Sequence, residues 1–224
     1  MSQIVVFGVG LTAEVVHHYL THDSPHEVVA FTVDAEFIGD DRLFGLPVVP
    51  FENVENPYPS DSFGMFVAVG YEDLNQFRAQ RYEEAKAKGY ELASYVSSKA
   101  GIVGDLQVGD NCFIMESQCL QPHVSIGNNV FIWSGVLVAH HATIGDHCWL
   151  ASQASIAGST VIGPYCFIGI NATIGHELTI GASSLVGAGS IVTKSAAEKS
   201  VFIARDTELY RLDSERFLKI TKLK

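Results

Sequence analysis

An aliphatic residue recurs at every sixth position across the second half of this chain of 224 residues. The series holds for sixteen consecutive positions: Ile102, Val108, Ile114, Leu120, Ile126, Ile132, Val138, Ile144, Leu150, Ile156, Ile162, Ile168, Ile174, Ile180, Val186 and Val192. A helix has a period of about 3.6 and a half-buried strand a period of 2, and neither keeps a six-residue phase over this length. A six-residue repeat is typical of a parallel β-helix, whose aliphatic column fills a triangular core.

Two further positions of the hexad support this fold. The fourth residue after the aliphatic one is mostly small or apolar, which predicts a second inward column: Cys112, Val130, Ala142, Cys148, Ala154, Cys166 and Ala172. The residue directly after the aliphatic one is glycine in eight hexads. We interpret it as a corner that needs backbone freedom in φ. Three hexads make one coil, so residues eighteen apart stack, and at about 4.8 Å per coil the prism is roughly 25 Å long.

Composition narrows the class of protein. No apolar stretch reaches the ~18 residues of a membrane span, and the N-terminus has no signal-peptide pattern, so we expect a cytoplasmic protein. The net charge of −11 argues against nucleic acid or an anionic membrane as a partner. Cys112, Cys148 and Cys166 fall on the inward position, which favours reduced core residues over a disulfide or a zinc site.

Positive charge is concentrated at the C-terminal end. No Lys or Arg occurs between Gly101 and Thr193, and eight of the fourteen cations follow: Lys194, Lys199, Arg205, Arg211, Arg216, Lys219, Lys222 and Lys224. A solvated tail and a counter-charge for an anionic ligand are both open interpretations. Residues 207–224 carry apolar side chains near one helical face, which predicts a C-terminal helix that caps the open end of the prism.

Residues 1–98 predict a small Rossmann-like α/β domain, followed by the β-helix at 99–194 and a C-terminal extension at 195–224. Apolar runs at 3–9, 28–33 and 65–69 alternate with helical segments at about 12–20 and 72–88, and a short strand is expected at 91–96. Gly8-x-Gly10-x-x-Ala13 follows the first run and Asp34 ends the second, a loose dinucleotide-binding pattern. Either this turn holds a phosphate while Asp34 accepts from a sugar hydroxyl, or it is only a tight β–α turn.

This order of domains resembles the hexapeptide-repeat sugar acyltransferases of the sialic acid O-acetyltransferase and bacillosamine-pathway N-acetyltransferase family. The resemblance covers essentially the whole chain. It implies a left-handed coil, a homotrimer, acetyl-CoA as cosubstrate and a nucleotide-linked sugar as substrate. It also implies sugar-nucleotide contacts at Gly10, Leu11, Thr12, Asp34 and Gly70. The family often has a glycine-rich step with a histidine in this turn, where the present chain has Leu11-Thr12-Ala13.

Histidines occupy outward corner positions of the predicted prism, where a side chain cannot belong to the core. His140 and His141 follow Val138 in its hexad. His123 lies eighteen residues before His141 and is therefore expected one coil beneath it, and His176 lies two coils above His140.

The resemblance gives one of these histidines a role. The family's catalytic motif is His, an acid, two residues and Ile-Gly, and His140 matches the base while His141 stands in the place of the acid. The usual orienting carboxylate is thus missing. Asp146, Glu177, a backbone carbonyl or a residue of the next subunit remain open as its replacement.

The implied chemistry needs one base. Acetyl-CoA is an activated thioester, so an amine or a hydroxyl attacks directly once an imidazole accepts its proton. A main-chain N–H at Gly158, one coil above His140, is a candidate donor to the oxyanion. The resemblance implies coenzyme contacts at Trp149, Ile170 and Ala188, with Trp149 where a relative has histidine. Lys194 or Lys199 could bind a coenzyme phosphate. A sugar amine is the predicted acceptor, and a sugar hydroxyl is the alternative.

Two other classes of function share this coil. The γ-class carbonic anhydrases have it, and His123 and His141, stacked about 4.8 Å apart, could share a metal across a trimer interface. That family lacks the N-terminal domain. An inactive binding protein of the same fold is the second alternative.

Four aromatic side chains that are expected to be exposed on a single prism predict a homotrimer. Phe131, Trp133, Trp149 and Phe167 lie outside the inward column, and three prisms around a threefold axis would cover them. The expected site is composite, with sugar and base largely from one subunit and part of the coenzyme cleft from its neighbour.

Overall fold

A computed structural model describes residues 2–221 of the chain. Lys222 and Lys224 of the predicted basic tail, and the end of the predicted C-terminal helix, lie outside the described residues. Within this range, none of the helices is both long and apolar enough to span a bilayer.

The N-terminal domain is a five-stranded sheet in the order β3-β4-β2-β1-β5, parallel except for β3. Its elements are β1 (Gln3–Phe7), α1 (Leu11–His22), β2 (Glu27–Val33), β3 (Arg42–Leu43), β4 (Leu46–Pro50), β5 (Gly64–Val67) and α2 (Gln76–Ala87), with 3₁₀ turns at Ala35–Phe37 and Phe51–Asn53. The inner strands are apolar on both faces because each face of a parallel sheet is covered. Helix α1 buries Ala13, Val16 and Leu20, the i, i+3 and i+7 positions of one face. The predicted α/β domain is confirmed.

Residues 95–202 form a three-faced parallel prism. Partners are eighteen residues apart up to Val192, as at Cys119 and Leu137, and the last pair, Leu185 and Val201, is sixteen apart. The first face contains Tyr95–Val96, Phe113–Ile114, Phe131–Ile132, Trp149–Leu150, Phe167–Ile168, Leu185–Val186 and Val201–Phe202. The second face contains Gly101–Ile102, Cys119–Leu120, Leu137–Val138, Ser155–Ile156, Thr173–Ile174 and Ile191–Val192. The third face contains Gln107–Val108, Ser125–Ile126, Thr143–Ile144, Val161–Ile162 and Thr179–Ile180. The predicted coil is therefore confirmed.

Both predicted inward columns form the prism core. From Ile114 to Val192 every aliphatic residue of the series is buried, and the small residues from Cys112 to Ala172 are 0% exposed. Ile102 is 39% exposed, because its strand is the edge of the second face and no coil lies beneath it. One further strand prediction needs correction: Leu92 bridges Met65 of the N-terminal sheet, whereas Tyr95–Val96 already belongs to the prism.

The repeat glycines were predicted to supply backbone freedom in φ, and this explanation was wrong. None of the eight has a positive φ, and the left-handed conformation falls on the third residue after the aliphatic one, as at Asn129 (φ 56°) and His141 (φ 59°). Glycine is required because the next coil is too close. A Cβ on Gly163 would lie 2.6 Å from the backbone nitrogen of Ala182.

The aromatic residues of the first face are covered by the chain's own N-terminal domain. Phe113 and Phe131 are 0% exposed and Trp149 is 5% exposed, in one cluster with Ile4 and Phe66 of the N-terminal sheet. Trp133 and Phe167 are half-buried against the same cluster. The expectation that other subunits cover these rings was therefore wrong, and they supply no argument for a trimer.

A buried arginine ties the two domains together. Arg78 of α2 is 0% exposed, and its guanidinium donates to the carbonyl oxygens of Gly70 (2.8 Å), His147 (3.1 Å) and Cys148 (3.2 Å). It also lies over the Phe131 ring, 4.8 Å from its centroid. Burial lowers the pKa of Arg78 to about 9, so the group stays charged at neutral pH. Its partners within residues 2–221 are neutral oxygens and aromatic faces, with no carboxylate among them.

A ladder of polar side chains along one prism edge completes this interface. Asn111 binds both backbone groups of Val67 in β5 (2.7 and 3.2 Å) and donates to Oδ1 of Asn129 (2.8 Å). Asn129 in turn donates to Nδ1 of His147 (2.9 Å), and burial lowers the pKa of His147. These residues are eighteen apart, so the repeat itself aligns them.

The C-terminal helix is present but does not cap the prism. Helix α3 spans Ser214–Thr221 and has no buried residue, and the preceding Leu209 is 98% exposed. The predicted capping contact is therefore absent from the described part of the chain. The apolar side of this helix instead remains free within one subunit.

We expect Gly163→Ala to lower the free energy of unfolding by about 1–3 kcal/mol, since the added Cβ must push two stacked coils apart. Gly39→Ala is the matched control, because a Cβ there meets nothing within 4 Å. Urea unfolding followed by circular dichroism measures both. Equal midpoints for the two variants would show that the coils tolerate the methyl group.

Arg78→Met should cost about 3 kcal/mol of unfolding free energy, because several buried carbonyl groups lose their donor. Arg42→Ala is the control, since that exposed side chain makes a single hydrogen bond, to Gly45. Hydrogen exchange should also show the N-terminal domain opening independently of the prism. An unchanged urea midpoint for Arg78→Met would refute the structural role.

Candidate active site

The five residues predicted to contact the nucleotide-linked sugar meet in one cavity of about 620 Å³. Gly10, Leu11 and Thr12 lie at the start of α1, Asp34 lies at the end of β2, and Gly70 lies just after β5. These are the carboxyl ends of adjacent parallel strands, the place where open α/β sheets bind ligands. The structure thus brings the predicted residues together, and their roles stay predictions.

The glycines around this cavity serve different purposes. Gly8 has φ +120°, and a Cβ there would lie 2.6 Å from the carbonyl oxygen of Ala68, so the backbone itself requires glycine. Gly10 meets nothing within 4 Å and Gly70 only the Thr12 hydroxyl at 3.9 Å. Both therefore leave open space on the cavity side. Helix α1 has Gly10 as its N-cap and no side-chain cap, so its first N–H groups are available to an anion.

Two carboxylates, Asp34 and Glu72, line the cavity. Asp34 is ion-paired with Arg81 at 2.9 Å. Burial raises the pKa of Asp34, and the Arg81 guanidinium opposes that shift. No Lys, Arg or His is among the described residues that line the cavity. An anionic ligand bound there would find positive potential at the α1 N-terminus or on another chain.

Exposed histidines form a second cluster on the edge between the second and third faces, called here the histidine edge: His123, His140, His141 and His176. The His140 ring lies against Gly158, where a Cβ would be 2.7 Å from Cε1 of the imidazole. Glycine at position 158 is thus what makes room for the ring. The Gly158 N–H has no protein acceptor among the described residues, which is consistent with a donor to substrate.

The ring of His140 is oriented by its neighbour in the chain. Nδ1 of His140 lies 3.1 Å from Nδ1 of His141. Glu177 contacts His176 at 3.3 Å, and Asp146 accepts from the backbone N–H of Asn128 at 2.7 Å on a different edge. Neither predicted carboxylate reaches His140 within this chain.

The stacking predicted for His123 and His141 is confirmed, with ring centroids 4.6 Å apart. Residues 2–221 contain no group of three or more His, Cys, Asp or Glu side chains that could hold a metal ion.

The predicted coenzyme contacts fall on separate parts of the prism. Ile170 (50% exposed) and Ala188 lie one above the other on the edge between the first and second faces. Lys194 is exposed at the top of the histidine edge. Trp149 needs correction: it is 5% exposed and stacks on Phe131 inside the interdomain core, so it has no free surface for a coenzyme.

Base and cavity lie on opposite sides of the prism in one chain. The N-terminal domain packs on the first face, through Phe113, Phe131 and Trp149. The histidine edge joins the other two faces and is therefore the edge opposite the first face of a triangular prism. Contrary to expectation, one subunit does not bring the predicted sugar contacts and the predicted base together.

Sequence reasoning missed the aromatic wall of the cavity. Phe37, Tyr71 and Phe77 line it, and Tyr71 (53% exposed) packs on Phe167 of the first face at 4.8 Å between ring centroids. No repeat or motif marks these positions. Only the Gly70-Tyr71 step at the end of an apolar run carried a signal.

The repeats define the class of protein. The model of the bacterial transferase hexapeptide (six repeats) matches twice, over residues 123–158 and 159–194. The predicted left-handed β-helix fold and the resemblance to the hexapeptide-repeat transferases are therefore confirmed. No protein of curated function matches it in sequence.

Solved structures give particular relatives. The chain is similar to PerB from Caulobacter crescentus, crystallised with CoA and GDP-perosamine (25% identity, TM-score 0.80, 90% of this chain and 93% of that chain). It is similar in fold to the acetyltransferase domain of PglB from Neisseria gonorrhoeae (21% identity, TM-score 0.77, 90% and 96%). WeeI from Acinetobacter baumannii also shares the fold (19% identity, TM-score 0.58, 90% and 96%).

Proposed function

We propose that this protein transfers the acetyl group of acetyl-CoA to an amine of a nucleotide-linked sugar. The observation that carries the proposal is the exposed imidazole of His140 seated against Gly158 on the histidine edge. The fold likeness to PerB, which was crystallised with CoA and GDP-perosamine, supports both substrates.

The prism edge supplies the chemistry. The amine attacks the thioester carbonyl carbon while Nε2 of His140 accepts the amine proton. The tetrahedral oxyanion accepts a hydrogen bond from the Gly158 N–H, which has no acceptor of its own in the described chain. Collapse of the intermediate expels the coenzyme thiolate, and the proton held by His140 neutralises it.

The cavity of the N-terminal domain supplies the acceptor. Phosphates of a nucleotide sugar fit the N–H groups at the start of α1, and Gly10 and Gly70 leave room for close approach. Asp34 is placed to accept from a sugar hydroxyl. The exposed rings of Phe37 and Tyr71 offer stacking surfaces for a base or sugar. Acetylation of a sugar hydroxyl needs the same base, so an assay with both kinds of acceptor identifies the nucleophile.

The complete site requires two chains. Because His140 and the cavity lie on opposite sides of one prism, the base must come from the neighbour of the chain that holds the sugar. A closed homotrimer with parallel prisms repeats this contact at each interface. Ile170 and Ala188 then face the neighbour's histidine edge across a cleft for the coenzyme, and the free apolar side of α3 supplies further contact area.

His140→Ala should lower kcat by about 10²–10⁴-fold and leave coenzyme binding intact, since only the proton acceptor is lost. Thiol release from acetyl-CoA with a panel of nucleotide-linked amino sugars measures turnover, and calorimetry measures CoA binding. His176→Ala is the control, an exposed histidine of the same edge that pairs with Glu177. Turnover near the wild-type rate in His140→Ala would refute the assignment.

Mixed assemblies test the shared site. Gly70→Phe fills the cavity and His140→Ala removes the base, so each variant alone should be inactive. After unfolding and refolding together at equal amounts, random association should restore about one quarter of the wild-type sites, because cavity and base then come from different variants. A mixture that stays as inactive as its components would contradict the shared site.

A further inference from the structure

The contact between His140 and His141 joins two chemically equivalent atoms. Their Nδ1 atoms lie 3.1 Å apart, and the two rings are nearly perpendicular at 83°. A hydrogen bond between two ring nitrogens needs one protonated and one unprotonated partner. The pair therefore has a direction, and that direction fixes which tautomer each ring adopts.

The proposed reaction sets this direction. His140 must present an unprotonated Nε2 to the amine, so its Nδ1 carries the hydrogen and donates to Nδ1 of His141. His141 then carries its own hydrogen on Nε2. Resting on the proposed function, we infer that His141 is a positioning residue that holds His140 in the base-competent tautomer as a neutral acceptor.

The surroundings of His141 hold its ring in place. The residue sits in the left-handed conformation (φ 59°), and its backbone N–H donates to the carbonyl of Pro122 at 3.1 Å. Its imidazole packs on His123 one coil below, with ring centroids 4.6 Å apart and ring planes inclined by 41°. The backbone N–H of His140 is bound in turn by Oε1 of Gln121 at 3.0 Å. Both rings are thus anchored to the coil beneath them.

A neutral acceptor behaves differently from a carboxylate when pH falls. Protonation of His141 removes the lone pair that accepts from His140, and it places a cation beside a ring that must itself take up a proton. The other titratable groups that face the pair are His123 below and His176 with Glu177 above. Protonation of either ring therefore disables the base.

Three variants test this inference. His141→Ala removes the acceptor and should lower kcat on the order of 10- to 100-fold with little change in either KM. His141→Asn keeps an acceptor oxygen and suits the left-handed backbone, so it should retain kcat within about threefold at pH 8. His176→Ala should keep the wild-type rate.

The tautomer is measured without any turnover. Long-range ¹H–¹⁵N spectra of histidine-labelled protein should show His140 protonated at Nδ1 in the wild type and in His141→Asn, and a mixture of tautomers in His141→Ala. Equal rates for wild type and His141→Ala, equal losses for the Ala and Asn variants, or a His140 ring without hydrogen on Nδ1 would each overturn the inference. Absence of thiol release by the wild type with every acceptor would overturn only the proposed function.

Discussion

The arrangement of this molecule depends on a buried guanidinium that has no acidic partner in the part of the chain that the structure describes. Arg78 of α2 enters the edge of the prism, where carbonyl oxygens and aromatic faces stabilise its charge. Such a charge is stable only where every donor is satisfied, so the N-terminal domain can sit on the prism in one register alone. One of its acceptors is the carbonyl of Gly70, on the cavity wall. The same contact that joins the domains therefore also positions the cavity wall.

This docking decides where the chemistry can occur. The N-terminal domain covers the first face, and the histidine edge is the part of the prism farthest from that face. In one chain, the cavity of the N-terminal domain has no imidazole beside it, and His140 has no cavity beside it. Under the proposed function, the reaction therefore requires an oligomer. Gly158 has no side chain and leaves room for the His140 ring, while His141 packs on His123. The position of the His140 imidazole is therefore set within one chain.

Local periodicity was enough to predict most of the prism. A strict six-residue phase determines the inward column, the eighteen-residue stacking and the outward position of His140, so these were right. A glycine-rich turn and an acid at a strand end marked Gly10 and Asp34, whereas Leu11, Thr12 and Gly70 of the same cavity came from the family resemblance. Arg78, Asn111 and Asn129 were missed because their role depends on which face the N-terminal domain covers, a long-range fact. The errors on Trp149 and on the other aromatic residues of the first face have the same cause. Their exposure was overestimated because the sequence does not show that the N-terminal domain packs on them. The glycine error had another origin, since close contact between coils and a need for positive φ select the same residue.

The most direct test of this account is the structure of the assembled protein with CoA and a nucleotide-linked amino sugar bound together. The account predicts that the sugar nucleotide contacts Gly10 and Gly70 of one chain, while the imidazole within hydrogen-bond distance of its amine is His140 of the neighbouring chain. An amine held next to His140 of the same chain that binds the nucleotide would contradict it.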